Sequence, residues 1–179
     1  MASKESELLE RFFNSSKHWH FEELRADVGI GKPQLARWLK VFEKEGVIKR
    51  IKPRGKMPYY IQNASHPNYK IKKRLYAWQQ FAESGLLEHL MSMKAKTIIL
   101  FGSFARSDWN QDSDVDIFVY GDCEDFEQGT YESKIKRDIE VHTAKTPKDL
   151  KRIDKMLPYV LSGEFIKGSI QDLGVTIHA

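Results

Sequence analysis

The feature that most constrains the fold is the stretch from Thr97 to Tyr120, in which two apolar runs flank a short polar segment. The first run is Thr97–Phe101 and the second is Asp114–Tyr120, in which apolar and polar residues alternate at the start. Both are rich in β-branched and aromatic residues and are bounded by Gly, Asp and Ser, which predicts β-strands. The stretch therefore predicts two strands joined by a turn that carries polar side chains.

Two carboxylates lie in the second predicted strand. Asp114 and Asp116 are two residues apart, so their side chains project from the same face. Val115, Ile117 and Val119 face the opposite way, into a core. Two carboxylates on one face of a buried strand repel each other and are costly to desolvate unless a cation lies between them. Hard divalent cations take oxygen ligands, so the pattern predicts a Mg²⁺ site.

The turn after the first strand adds a second feature. Gly102 has no Cβ, which lets the backbone turn sharply and approach a ligand closely. Ser103 is predicted to cap a helix that begins at Phe104, so that its hydroxyl and the nearby N–H groups face a phosphate. A strand, a Gly-Ser turn, a helix start and an Asp-x-Asp strand together predict a site for a nucleoside triphosphate and its metal.

The whole stretch resembles the signature of the DNA polymerase beta-like nucleotidyltransferases, in the small form called minimal nucleotidyltransferase. That signature runs Gly-Ser-x-Ala-Arg-Gly, a spacer, and then Ser-Asp-x-Asp before an apolar strand. The residues that match it are Gly102, Ser103, Ala105, Arg106, Ser113, Asp114 and Asp116. The chain departs from it at Ser107, where the family usually has Gly. The alternative, an acidic strand edge beside a turn, leaves Gly102 and Ser103 unexplained.

The resemblance implies an α+β fold in which a small mixed sheet is flanked by helices. It also implies an enzyme that moves a nucleoside monophosphate from an NTP, such as ATP, to a hydroxyl acceptor, with Mg²⁺ as the cofactor. The carboxylates that it assigns to catalysis and metal binding are Asp114, Asp116 and Glu140. Minimal nucleotidyltransferases are often antitoxin partners that adenylylate a companion protein, so the resemblance suggests a protein hydroxyl as the acceptor.

The third carboxylate of the family lies on a neighbouring strand, for which Arg137–Thr143 is the candidate. In that alternating segment Asp138, Glu140 and His142 share one face. Glu140 is central and is preferred, and Asp138 is the alternative. The resemblance further implies that Gly102, Ser103 and Arg106 bind the nucleotide. For Arg106, pairing with Asp108 or Asp112 is an alternative role.

The N-terminal part has a different pattern. Three amphipathic segments precede two short apolar runs that flank a basic loop. The predicted helices are Lys4–Asn14, His20–Asp27 and Pro33–Glu45, and the predicted strands are Val47–Ile51 and Pro58–Ile61. Three helices followed by a basic hairpin resemble a winged helix-turn-helix domain, here residues 1–66. In such domains the third helix enters the major groove of DNA and the hairpin lies along the phosphates.

Charge agrees with a nucleic-acid partner for this part. Residues 32–62 contain nine Lys and Arg but two Glu, a net of +7. By resemblance, the residues nearest base edges are Gln34, Arg37, Trp38 and Val41, and those nearest phosphates are Lys49, Arg50, Lys52, Arg54 and Lys56. The alternative is a winged helix that serves as a dimerisation or docking module. A homodimer would suit paired DNA half-sites.

Residues 67–96 are predicted to form a helical connector that Gly85 interrupts, and residues 97–179 the nucleotidyltransferase domain. Ile71, Leu75, Trp78 and Phe81 recur at helical spacing, which predicts a buried face. Beyond the strand Arg137–Thr143, we predict a helix over 146–156, a second over 157–166 and a strand over 169–178.

Composition limits the class of protein and the cellular compartment. The chain has 179 residues, 41% of them hydrophobic, and its longest apolar runs fall short of a membrane span. A single cysteine, Cys123, excludes an internal disulfide and favours the cytoplasm, and the six histidines show no zinc-ligand spacing with it. Residues 1–66 carry a net charge of +5, residues 67–96 of +4 and residues 97–179 of −5. An alternative function of a different class is a DNA-binding regulator whose C-terminal domain binds nucleotide as a signal and does no chemistry.

Overall fold

The computed structural model of the chain describes residues 3–174. These residues divide into two units. The first runs to Tyr76 and includes the short segment Trp109–Gln111; the second contains Ala77–Asp108 and the chain from Asp112 onward. The domain boundaries after residues 66 and 96 remain predictions. Within the described residues, no helix combines the length and the apolar character that crossing a lipid bilayer requires.

Three helices of the first unit lie where the amphipathic patterns predict them. They are α1 (Lys4–Asn14), α2 (Phe21–Val28) and α3 (Lys32–Lys44). The apolar side of α3 is fully buried, because Leu35, Leu39 and Phe42 recur at the spacing that brings them to one face. Leu8 and Phe12 of α1 are equally inaccessible. The predicted core faces of these helices are therefore confirmed.

A small antiparallel sheet completes the first unit. Its strands are β1 (Trp19–His20), β2 (Ile48–Ile51) and β3 (Tyr59–Gln62), in the order β1-β3-β2. The predicted hairpin is the pair β2–β3, with Arg50 opposite Tyr60. β1 is too short for an alternating pattern to reveal, so the sequence did not predict it. It pairs Trp19 with Tyr60 and closes the second edge of β3.

Helix α4 (Pro67–Glu83) buries only part of the predicted face: Phe81 is buried and Trp78 is half-buried. Ile71 and Leu75, predicted to be buried, are 55% and 63% exposed. The buried residues instead recur every four positions and are Tyr69, Lys73, Ala77 and Phe81. Because apolar residues occur on more than one side of α4, tertiary contacts decide which side is covered. The helix ends before Gly85, as predicted, and α5 (Leu86–Ser92) follows.

The buried residue Lys73 has its ammonium group satisfied inside the first unit. Its Nζ donates hydrogen bonds to the carbonyl oxygens of Phe13, at 2.8 Å, and of Trp109. The same nitrogen lies 4.4 Å from the centre of the Trp109 ring, a favourable cation–π distance. These contacts explain how a charged side chain that is 3% exposed can be accommodated.

The second unit is built on a mixed four-stranded sheet. Its strands are β4 (Thr97–Phe101), β5 (Val115–Tyr120), β6 (Ile139–Ala144) and β7 (Glu164–Lys167). The order is β6-β5-β4-β7; β5 and β6 are parallel and the other pairs antiparallel. The helices of this unit after α5 are α6 (Gly102–Arg106), α7 (Gln128–Ile135), α8 (Pro147–Arg152) and α9 (Leu157–Leu161). A small mixed sheet with helices confirms the predicted α+β class.

Both faces of β5 are covered along most of its length. Val115 and Ile117 are inaccessible on one face, as the alternating pattern predicts. On the other face Phe118 and Tyr120 join a cluster with Leu150 of α8 and Val160 of α9. The only polar position of the strand is Asp116, which is half-buried. The sheet therefore presents this carboxylate beside an apolar core.

The C-terminal part differs from the prediction in three places. The predicted helix over 146–156 ends at Arg152. The predicted helix over 157–166 ends at Leu161, and β7 follows it. Gly163 allows this change, because a Cβ there would lie 2.3 Å from the carbonyl oxygen of Leu100. The predicted strand over 169–178 is wrong for Ile170–Leu173, which form a 3₁₀ helix. Its last residues, 175–178, lie outside the described part of the chain.

Candidate active site

The candidate active site lies where three strands of the second unit run side by side. Asp116 of β5 is paired with Phe101 of β4 on one side and with Glu140 of β6 on the other. Because paired residues on neighbouring strands project from the same face, the two carboxylates face the same space. The parallel register of β5 and β6, which the sequence alone does not reveal, brings Glu140 rather than Asp138 opposite Asp116.

Gly102 makes room for the carboxylate of Asp116. A Cβ at this position would lie 1.9 Å from Oδ2 of Asp116 and 2.7 Å from its Cγ, far inside van der Waals contact. Gly102 also has a φ of 68°, in the region that residues with a side chain rarely adopt. Glycine is therefore required here for two separate reasons. The backbone at the first residue of α6 therefore packs directly against the carboxylate of Asp116.

A histidine joins the two carboxylates. One ligand atom from each of Asp116, Glu140 and His142 lies within 4.8 Å of the others. His142 Nε2 is 3.4 Å from Oε1 of Glu140, and the imidazole packs beside the ring of Phe101 with centroids 5.4 Å apart. The alternation of β6 indicated that His142 shares a face with Glu140, but no role for His142 followed from the sequence. The parallel register of β5 and β6 shows that His142 lies near Asp116 as well as Glu140.

The charges in this cluster oppose full ionisation. Burial raises the pKa of Asp116 above its ordinary value, and the nearby charge of Glu140 raises it further. Asp114 acts in the same direction, whereas His142 and Arg106 act in the opposite one. A cation between the carboxylates would remove this penalty. The cluster thus has both the oxygen ligands and the excess negative charge that a divalent cation requires.

Asp114 and Asp138 lie at the ends of these strands and outside the three-residue cluster. Both are exposed, and each precedes the first residue of its strand. The backbone around them is fixed: Val115 N–H donates to the carbonyl of Asp138 at 2.9 Å, and Arg137 donates to the carbonyl of Ser113 at 3.2 Å. Asp114 is near enough to influence the pKa of Asp116, so it can contribute charge at the mouth of the site.

The phosphate-binding residues predicted from the motif lie on the short helix α6. Ser103 is the second residue of this helix, and no side chain caps it, so the predicted capping role of Ser103 is wrong. The helix starts at Gly102, two residues before the predicted start at Phe104. Arg106 binds Asp108 through two hydrogen bonds of 2.9 and 3.3 Å, and both side chains are more than half exposed.

Ser107 takes a left-handed backbone conformation, which glycine adopts at the lowest cost. Its φ is 61° and it ends α6. For a residue with a side chain, this strained backbone costs about 1–2 kcal/mol.

The predicted DNA-binding residues lie on α3, on β2 and in the loop before β3. Arg37 is exposed and donates to Oε1 of Gln34 at 3.2 Å, while Trp38 is half-buried. The hairpin cations are Lys49, Arg50, Lys52, Arg54 and Lys56, and all five are exposed. Within residues 3–174, no carboxylate pairs with any of these five. They remain available for a polyanion, and no described contact tests that role.

Comparison with known proteins concerns the second half of the chain. Residues 83–171 match the family model of the nucleotidyltransferase domain. The resemblance drawn from the Gly-Ser and Asp-x-Asp motifs is therefore confirmed for this segment, which contains the whole cluster around Asp116. The match supports nucleotidyl transfer as its general chemistry and does not extend to the predicted winged helix. No curated protein and no solved structure matches the chain.

Proposed function

We propose that the chain is a divalent-metal-dependent nucleotidyltransferase that transfers a nucleoside monophosphate to a hydroxyl group of a macromolecule, and that its N-terminal unit binds DNA. The observation that carries the catalytic part is the arrangement of Gly102, Asp116 and Glu140. A glycine whose added Cβ would lie 1.9 Å from a carboxylate oxygen connects the helix start with the central strand. The carboxylate opposite, in register on β6, supplies a second ligand.

In this proposal Asp114, Asp116 and Glu140 hold Mg²⁺. The fit rests on Asp116 and Glu140, whose carboxylate oxygens lie in register on neighbouring strands, and Asp114 adds charge from the end of β5. A divalent cation bound there neutralises charge on the phosphates and lowers the pKa of the attacking hydroxyl. The register supports Glu140 over Asp138 as the third carboxylate. The carboxylate of Glu140 is 59% exposed, so solvent and an acceptor can reach it.

The reaction needs positioning more than covalent chemistry from the protein. The acceptor oxygen attacks the α-phosphorus, the bond from that phosphorus to the bridging oxygen breaks, and pyrophosphate leaves. Glu140 accepts the hydroxyl proton, directly or through water. The N–H groups and hydroxyl at Gly102 and Ser103 contact the β- and γ-phosphates. Arg106 would have to exchange its contact with Asp108 for one with phosphate.

A protein hydroxyl is the proposed acceptor, and ATP is the first NTP to test. Both follow from the likeness of the Gly102–Asp116 motif to minimal nucleotidyltransferases. The single cysteine, Cys123, supports a cytoplasmic location. These parts of the proposal rest on the sequence alone.

DNA binding by the first unit is supported by its element order and its charges. Its three helices are followed by the hairpin β2–β3, in agreement with the resemblance to a winged helix-turn-helix domain. In this proposal Gln34, Arg37 and Trp38 on α3 approach base edges. The five hairpin cations contact phosphates, because no carboxylate neutralises them within the described residues. A homodimer would let two such units read paired half-sites.

The test uses α-labelled ATP, GTP, CTP and UTP with Mg²⁺, the purified protein and lysate of its host. Asp116→Asn removes the central charge without changing the side-chain shape. We expect label on a macromolecule with the wild type and a loss of at least about 1,000-fold with the variant, as for other groups essential to transition-state stabilisation. Asp125→Asn is the matched control, since Asp125 is exposed and does not belong to the cluster around Asp116.

Two outcomes would overturn the catalytic proposal. A fully active Asp116→Asn protein would show that the cluster does not perform the chemistry. Nucleotide binding without transfer of any of the four labels would favour the alternative, a DNA-binding regulator that senses nucleotide.

A further inference from the structure

The carboxylates of the candidate active site account for two members of the three-residue cluster but not for the third. His142 lies two residues after Glu140 on β6, and its Nε2 approaches the same space as the oxygens of Glu140 and Asp116. The proposed function assigns it no role. A neutral imidazole is itself a metal ligand, so its presence changes the donor set from oxygen alone to oxygen and nitrogen.

The distances suit shared coordination. Ligand atoms about 2.1 Å from an octahedral ion lie about 3 Å apart at adjacent positions and about 4.2 Å apart at opposite ones. His142 Nε2 and Glu140 Oε1 are 3.4 Å apart, and all three ligand atoms lie within 4.8 Å of one another. Shifts of a few tenths of an ångström would bring the three atoms to one ion. The ring of Phe101, with its centroid 5.4 Å from that of His142, limits rotation of the imidazole.

A simple ion pair between His142 and Glu140 explains the geometry less well. Their separation of 3.4 Å exceeds the usual range for an N–H···O hydrogen bond. The side chain of Glu140 is 59% exposed, so solvent screens any attraction between the two groups. A pair also gives no reason for the convergence of Asp116 on the same point.

We propose that His142 binds the metal together with Asp116 and Glu140, and that this mixed oxygen–nitrogen site prefers Mn²⁺ to Mg²⁺. Mg²⁺ is a hard ion that favours oxygen ligands, whereas first-row transition ions also accept imidazole. Glutamate and histidine on one element hold manganese in other proteins as well. The inference relies on the proposed function only for the location of the metal, and not for any transfer step.

The first test measures metal binding without nucleotide. Mn²⁺ is titrated into the full chain while the free ion is followed by electron paramagnetic resonance, and Mg²⁺ is then used as a competitor. We expect His142→Gln to weaken Mn²⁺ binding by at least about 10-fold, a loss typical even of groups that only support a ligand. The affinity for Mg²⁺ should change less than about threefold, because its oxygen ligands remain.

Two variants serve as references. His18→Gln removes an exposed imidazole from the first unit and should leave both affinities unchanged. Glu140→Gln should weaken both metals, because it removes an oxygen ligand that they share. A His142→Gln protein whose Mn²⁺ affinity stays within about twofold of the wild type would overturn the proposal, as would an equal loss for both metals.

A spectroscopic measurement tests the coordination directly and does not depend on affinities. Electron spin-echo envelope modulation of the Mn²⁺-loaded protein should detect a coupled nitrogen in the wild type. The signal should change when histidine is labelled with ¹⁵N and should be absent in His142→Gln. Circular dichroism of the variant verifies that it is folded. Bound Mn²⁺ without nitrogen coupling in the wild type would contradict the proposal.

The outcomes distinguish this inference from the proposed function. Nitrogen coupling without transfer of any label would leave the metal site standing and remove the proposed reaction. Transfer that requires Asp116, together with no nitrogen coupling, would leave the reaction standing and remove His142 from the metal site.

Discussion

The two units hold their charged side chains in opposite ways. In the first unit the hairpin cations are exposed, and no carboxylate within residues 3–174 pairs with them. In the second, Asp116 is half-buried and faces Glu140 across neighbouring strands. Solvated surface charges change the stability of a fold little, whereas converging carboxylates destabilise it. Substitutions in the carboxylate cluster should therefore change the stability of the free protein. Substitutions of the exposed cations should change only the binding of a ligand.

The largest expected effect comes from a substitution at Gly102 that disturbs the carboxylate cluster of the second unit. Gly102→Ala introduces a Cβ against the Asp116 carboxylate and strains a backbone with φ 68°. We expect transfer at least about 100-fold slower, because displacement of a reacting group by an ångström has effects of this size. Stability should fall by about 1–2 kcal/mol in urea unfolding.

Gly129→Ala is the matched control for this change. Gly129 lies in α7 with nothing within 4 Å of an added Cβ, so alanine should stabilise the helix by about 0.5–1 kcal/mol. If Gly102→Ala and Gly129→Ala behave alike, the close approach to Asp116 has no functional importance.

The first unit also contains a buried cation, and its substitution tests how much a buried charged side chain contributes to stability. Lys73 is 3% exposed and donates to carbonyl oxygens of Phe13 and Trp109. Lys73→Met leaves these oxygens without that donor, which should cost about 2–3 kcal/mol in denaturant unfolding. Lys70→Met, at an exposed position of α4, should change stability by less than about 0.5 kcal/mol. Equal effects would mean that the internal bonds of Lys73 contribute nothing net.

The exposed cations should show their role only in binding. Replacing Arg37 and Arg54 together by Ala should weaken binding to duplex DNA by about 10-fold, because each arginine neutralises a phosphate or reaches a base edge. The plot of log affinity against log salt should also become shallower, by about one unit of slope for each phosphate that is no longer neutralised. Stability should stay unchanged. Lys148→Ala with Lys155→Ala removes two exposed cations from the second unit and serves as the control. Unchanged affinity and slope in the arginine variant would favour a docking role for the hairpin.

The smallest expected effect concerns the turn after α6. Ser107 has a φ of 61°, so Ser107→Gly should relieve strain and stabilise the protein by about 1 kcal/mol in urea unfolding. Ser162 ends α9 in a right-handed conformation, with φ −79°, and Ser162→Gly should give no gain. A loss of stability in Ser107→Gly would mean that the serine side chain contributes more than the strain costs.

Local patterns predicted the strand positions of two carboxylates of the candidate site. Alternation in β5 places Asp116 opposite the apolar face, and the centre of β6 indicates Glu140, because a period of two fixes the face of every residue in a strand. His142 was on the same predicted face, but its role depends on the parallel register of β5 with β6, which no local pattern encodes. At Ser107, where the sequence departs from the family signature, the backbone takes the left-handed conformation.

Predictions failed where long-range packing decides. The apolar residues of α4 gave a regular stripe that includes Ile71 and Leu75, yet the covered side carries Tyr69 and Lys73. A helix with apolar residues on several sides does not reveal which of them is covered. Likewise, residues 164–167 form a strand because the edge of β4 is open to pairing, although their sequence continues a helical pattern.

The most direct test of the account is the stability of Asp116→Asn across pH, with and without a divalent cation. A raised pKa means that native Asp116 binds a proton more readily than the unfolded chain does. Wild-type stability should therefore fall, relative to the variant, as pH rises from the ordinary aspartate value of 3.8 through the raised pKa. At about pH 7 without metal, the asparagine variant should be the more stable protein.

Saturating Mg²⁺ or Mn²⁺ should reverse this order. Cation at about 100 times its dissociation constant stabilises a binding-competent protein by about 2.7 kcal/mol, and the variant lacks the central ligand. Thermal unfolding of both proteins, with Asp125→Asn as the control, measures the crossover. The account predicts that the variant is more stable in chelator and the wild type more stable in metal. A wild type that is already the more stable protein in chelator, or equal stabilisation of both by metal, would contradict it.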